Sequence, residues 1–87
     1  MREFVGRIVI SLSGHDKGRL YLVTAEEERC VLLADGKHRR LLKPKRKNKK
    51  HIRRVLQEPL PELAGMTDGA LRRYLRGLSE IESSYHK

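Results

Sequence analysis

One stretch limits how this chain can fold. Between positions 37 and 54 stand Lys37, Arg39, Arg40, Lys43, Lys45, Arg46, Lys47, Lys49, Lys50, Arg53 and Arg54, eleven of the 20 basic residues, with no Asp or Glu among them. Charges of one sign packed this densely repel one another and oppose a compact state. The segment therefore either lies in solvent as a loop without a partner or meets negative charge. Lys and Arg that neutralise phosphates release condensed counterions, so the sharper expectation is a phosphate-binding segment. A net charge of +9 and a pI of about 10.2 point the same way, to an anionic partner.

Eighty-seven residues provide one domain with a small core. A chain of this size buries about 60–65% of its unfolded surface. The aromatic residues are Phe4, Tyr21, Tyr74 and Tyr85, and Trp is absent. Such content suits a small barrel or bundle and not a deep substrate cavity. Cys30 is the single cysteine, so no intramolecular disulfide forms, in keeping with a reducing compartment. No apolar run approaches the roughly 20 residues of a membrane span, and no signal-peptide pattern opens the chain. A cytoplasmic location without membrane association is the expectation.

The N-terminal half reads as strands. Residues 4–12 (FVGRIVISL) alternate, with Ile8, Ile10 and Leu12 on an apolar face and Arg7, Val9 and Ser11 on the other. Residues 13–18 (SGHDKG) form a tight loop, in which Asp16 is expected to bond backbone amides. Residues 20–24 resume the strand pattern, and 25–29 form a polar hairpin tip. Residues 30–34 (CVLLA) form a short buried strand. Asp35-Gly36 is a type I′ hairpin signal, which makes residues 37–42 a return strand with Leu41 or Leu42 inward. Pro44 ends that strand or confines it to an edge. Residues 45–50, within a basic loop at 43–50, read as solvated and mobile until a partner orders them. Residues 51–56 (HIRRVL) close the sheet, with Ile52 and Val55 or Leu56 inward. Short strands at this spacing suggest a small all-β barrel.

The segment VGRIVISLSGHDKGRLYLV resembles a KOW motif. Its continuation VLLADGKHRRLLKPKRKNKKH resembles the large-subunit ribosomal proteins "fourteen-e", "six-e" and "twenty-seven-e", and the small bacterial KOW-domain RNA-binding proteins of that group. The resemblance covers residues 4–56. It implies an SH3-like β-barrel of the KOW type and RNA binding in a ribosomal or ribosome-associated role. It also implies a KOW loop carrying Gly14, His15, Asp16 and Gly18. The domain plan is thus a barrel at 1–56, a linker at 57–66 with two prolines, and an amphipathic helix at 67–82.

In that helix Thr67 is a good N-cap and Asp68 suits the dipole. Leu71, Tyr74, Leu75, Leu78 and Ile81 form one apolar stripe, with Arg72, Arg73 and Arg76 off it. The helix is expected over about 68–80, with 83–87 frayed. Its stripe either docks on an open side of the barrel or takes a partner, such as a ribosomal protein or translation factor.

Catalysis finds little support. His15, His38, His51 and His86 show no metal-ligand spacing, Cys30 sits inside an apolar strand, and no phosphate-cradling glycine motif occurs. A non-enzyme without cofactor or metal is expected. Binding finds coherent parts. Lys17, Arg19 and the eleven basic residues above can reach phosphates, while Asn48 and the histidines, His51 among them, are candidates for bases or 2′-hydroxyls. Tyr21 is a candidate either for stacking on a base or for a place in the core or at a sheet edge. Because aromatics are scarce, structured RNA read through backbone and shape fits better than single strands. The alternative is a protein-interaction module of the translation or transcription machinery, using a barrel edge and the helix.

Overall fold

A computed structural model describes residues 3–55 and 62–85 of the protein. Its strands are β1 (Ile8–Ser11), β2 (Leu20–Glu26), β3 (Cys30–Ala34), β4 (Lys45–Asn48) and β5 (Ile52–Arg54). A 3-10 turn, Lys49–His51, joins β4 to β5, and one helix, α1 (Asp68–Tyr85), follows. All pairings are antiparallel, in the order β4-β3-β2-β1-β5. A flat sheet of five strands would hold β4 and β5 about 19 Å apart. The three-residue turn between them spans roughly 6 Å. The sheet must therefore curl until its edges approach. The chain is mainly β, a small SH3-like barrel with a C-terminal helix, as the sequence led us to expect.

Two apolar clusters lie on opposite faces of the sheet. Val9, Tyr21, Val23, Val31, Leu33 and Ile52 fill the barrel, with Phe4 packed against them. Ile8, Leu22, Ala34, Leu71 and Leu75 form a second cluster between sheet and helix. Successive strand residues point to opposite faces. A strand between two cores is thus apolar at every position, which explains the continuous runs IVI, LYLV and VLLA. The single apolar face expected for β1 is corrected accordingly. Ile8 and Val9 are both fully buried, whereas Leu12 is exposed. The strand is also shorter than expected. Gly6, at φ +82°, turns the chain ahead of it, and the Gly6 amide donates to the Val23 carbonyl at 2.9 Å.

The return strand expected at 37–42 is absent. A type I′ turn needs positive φ at both central residues, and only Gly36 adopts it here, at φ +79°. Instead the Asp35 carboxylate accepts from the Lys37 and Arg39 amides at 2.9 and 2.8 Å, closing an Asp-anchored loop. Leu41 packs into the cluster under the helix, while Leu42 is 94% exposed. The mobile loop expected at 45–50 is also corrected. Strand β4 and the 3-10 turn occupy it, and Pro44 precedes the strand instead of ending one.

The helix begins as expected. Thr67 Oγ1 accepts from the Ala70 amide at 3.1 Å. Leu71, Tyr74, Leu75 and Leu78 face the sheet, and a buried leucine contributes about 1.5–3 kcal/mol. The stripe therefore docks on the barrel. The helix runs to Tyr85, beyond the expected end and through part of the expected frayed tail. After Gly77 no Gly or Pro interrupts it within those residues. Leu56 and the linker's residues 57–61, the Ile81 side chain, and His86 and Lys87 lie outside the described residues.

Candidate nucleic-acid interface

The basic segment divides into two chemically different parts. The first is β4. Lys47 pairs across the ladder with Val31, and Lys45 with Leu33, so both lysines share the face that lines the barrel. Their alkyl stems close the barrel core while their ammonium groups reach its mouth, as long cationic side chains do. There they meet Asp16, whose side chain is 9% exposed. Lys47 Nζ donates to Asp16 Oδ1 at 2.8 Å and to the Ser13 carbonyl at 2.9 Å, and Lys45 Nζ bonds Oδ2. Ser11 Oγ donates to Asp16 Oδ1 at 2.8 Å and the Tyr21 hydroxyl to Oδ2 at 3.2 Å. Lys45 also stands 5.7 Å from the Tyr21 ring centroid.

Burial pushes the Asp16 carboxyl up. The bonds from Lys45, Lys47 and Ser11 outweigh burial and hold it well below the usual carboxylate range. Burial, and then the Asp16 charge, pushes the Tyr21 hydroxyl up to about 12. Asp16 was expected to bond backbone amides, but its carboxylate binds four side chains. Tyr21 is 2% exposed, so it is no stacking platform. One turn on, Lys49 Nζ lies 2.8 Å from Glu26 Oε2 and 5.9 Å from the Phe4 ring centroid. The Lys49 bond, with the Phe4 amide, holds Glu26 below its ordinary value. Arg46 pairs with Glu27 in solvent at 3.1 Å. Asn48 Oδ1 caps the 3-10 turn through the Lys50 amide at 3.0 Å.

The second part is exposed. Lys17 and Arg19 lie on the β1–β2 loop, Lys37, Arg39, Arg40 and Lys43 on the β3–β4 loop, Lys50 on the 3-10 turn, and Arg53 and Arg54 on β5. Among the described residues, none of these nine side chains has a hydrogen bond or ion pair. His15 is exposed and His51 half-buried. Gly14 and Gly18 hold positive φ, +87° and +88°, and give the β1–β2 loop its path.

The β1–β2 and β3–β4 loops face each other across a hollow of about 420 Å3. Gly14, His15 and Arg19 form one side, His38 and Arg39 the other, and Asp16, Tyr21, Lys45 and Lys47 the floor. A second hollow of about 310 Å3 shares Arg19 and His38 with the first and is walled by Arg72 and Arg76 of the helix. Sequence reasoning left these two arginines aside as merely off the stripe. Their i, i+4 spacing beside Leu75 marks them as one face, but which surface that face meets depends on how the helix docks.

Among the described residues, no group of three or more His, Cys, Asp or Glu could hold a metal ion. No helix among them is long and apolar enough to cross a membrane. No protein-family model matches this chain, and comparison with curated proteins finds no match either.

Proposed function

We propose that the protein is a non-enzymatic RNA-binding protein, ribosomal or ribosome-associated, that captures structured RNA through phosphate contacts. One observation carries the reading. The acidic groups near the basic segment are already engaged, Asp16 by the β4 lysines Lys45 and Lys47, Glu26 by Lys49 of the 3-10 turn, and Asp35 by backbone amides. The exposed cations of the two loops and β5 have side chains without partners among the described residues. Such an array suits phosphate neutralisation with counterion release. Phe4, Tyr21 and Tyr74 are packed in the two cores, which favours recognition by backbone and shape over base stacking. The KOW resemblance supports RNA over DNA and a place on or near the ribosome. The helix stripe is occupied by the sheet, which takes from the protein-interaction alternative its main surface.

Titration against a structured ribosomal RNA fragment, a generic hairpin and duplex DNA, across a salt series, tests this. Four to six phosphate contacts give a log–log salt slope of about −3 to −5. Preference for the ribosomal fragment supports the ribosome-linked role. A flat slope, or no binding at low salt, overturns the electrostatic mechanism, and preference for duplex DNA overturns RNA as the partner.

A further inference from the structure

We propose that the C-terminal helix is a working wall of the interface: Arg72 and Arg76, together with Arg19 and Lys37, hold the sugar-phosphate backbone of RNA in the hollow between helix and barrel. The inference rests on the RNA-binding reading above and adds a site to it. The hollow's walls carry Arg19, Lys37, Arg72 and Arg76 against a single carboxylate, Asp35. That carboxylate accepts the Lys37 and Arg39 amides at Oδ1, and its one negative charge faces four cations, so the hollow keeps an excess of positive charge. The side chains of Arg76, Lys37 and Arg19 have no hydrogen bond or ion pair among the described residues.

The wall is also held in place. Arg72 Nη1 donates to the Gly36 carbonyl at 3.3 Å, and Asp68 Oδ1 accepts from the Leu41 amide at 2.8 Å. The helix N-terminus and the basic β3–β4 loop are thus tied into one surface, which lowers the ordering cost when RNA binds. Arg72 and Arg76 stand one helical turn apart, so their guanidinium groups can fork onto neighbouring phosphates. Leu20 and Leu75 supply an apolar floor on which a ribose can rest. The hollow joins the larger one at Arg19 and His38, so a strand bound by the barrel loops continues toward the helix. Arg73 lines neither hollow although it sits on the same helix and is exposed.

Anisotropy titrations of a structured RNA hairpin, with wild type, Arg72→Gln/Arg76→Gln, Arg76→Gln and Arg73→Gln, test the inference, each protein's melting temperature being recorded first. The double variant is expected to bind roughly tenfold or more weaker near physiological salt, with a salt slope shallower by about 1–2. Arg76→Gln removes no side-chain bond among the described residues and is expected to melt as wild type while losing about one unit of slope. Arg73→Gln is expected to stay within about twofold of wild type. If folded Arg76→Gln and the double variant bind like Arg73→Gln while Arg53→Gln/Arg54→Gln binds weakly, the helix is no part of the interface, and the RNA reading stands without it. If wild type itself fails to bind at low salt, both fall.

Discussion

Strand β4 and the surface around it draw on the same residue types and treat them in opposite ways. Lys45 and Lys47 keep side-chain exposures of 22% and 11% and share one carboxylate. The side chains of Lys37, Arg39, Lys50 and Arg53 are exposed and bind nothing within the described residues. The first group closes a barrel too small to find apolar residues for its fourth strand. The second is free for a polyanion. Charge density alone does not separate the two roles. A period of two beside a buried acid marks the paired lysines of β4, and exposure without a side-chain partner among the described residues marks the others.

The largest expected effect tests the structural side. Asp16→Asn leaves two half-buried ammonium groups without a counter-charge. It is expected to cost about 2–4 kcal/mol, at or below the usual range for broken buried pairs because the lysines keep some solvent contact. Urea unfolding measures this, and a loss under about 0.5 kcal/mol would place β4's lysines with the free ones. The same carboxylate sets an acid limit. Its folded pKa lies below the ordinary 3.8. Its stabilising contribution is therefore full above that value and lost as pH falls through the folded one. Stability is expected to drop on acidification below about pH 4, and to drop less steeply in Asp16→Asn.

Next in size is Gly36→Ala. A Cβ there would stand 2.2 Å from the Asp68 carbonyl oxygen, on backbone at φ +79°. The left-handed conformation alone costs about 1–2 kcal/mol, and the contact forces the helix N-terminus off the loop. A loss of about 2 kcal/mol or more is expected by thermal melting, with weaker RNA binding because the helix wall shifts. The smallest effect sharpens the other side of the contrast. Arg53→Gln/Arg54→Gln is expected to change stability by less than about 0.5 kcal/mol while weakening RNA binding several-fold.

Much of the barrel was legible where apolar runs meet breakers. Strand β3 occupies the predicted CVLLA, flanked by Arg29 and Asp35, and the helix starts at the predicted Thr67 cap. Strand β4 was not legible. Its alternation is written in lysines, and what permits their burial is Asp16, separated by 29 and 31 positions in sequence. The alternation of β1 is as expected, with Ile8 and Val9 on opposite faces, but the burial of the Val9 and Ser11 side was not legible because it requires a core on each side of the sheet. Asp35-Gly36 misled because Asp35 closed the loop with its side chain instead of adopting positive φ. At the candidate site, the exposed cations were all named from sequence, but Arg72 and Arg76 needed the docked helix to join them.

The central claim is that cations without internal partners, and not the paired lysines of β4, capture RNA. The most direct test is a salt-series titration of structured RNA with Lys37, Arg39, Lys50 and Arg53 all replaced by Gln. None of these side chains has an internal bond among the described residues, so melting should match wild type. The expected result is a salt slope reduced from about −3 to −5 toward −1, with affinity lost at every salt concentration. An undiminished slope in that folded variant would contradict the claim.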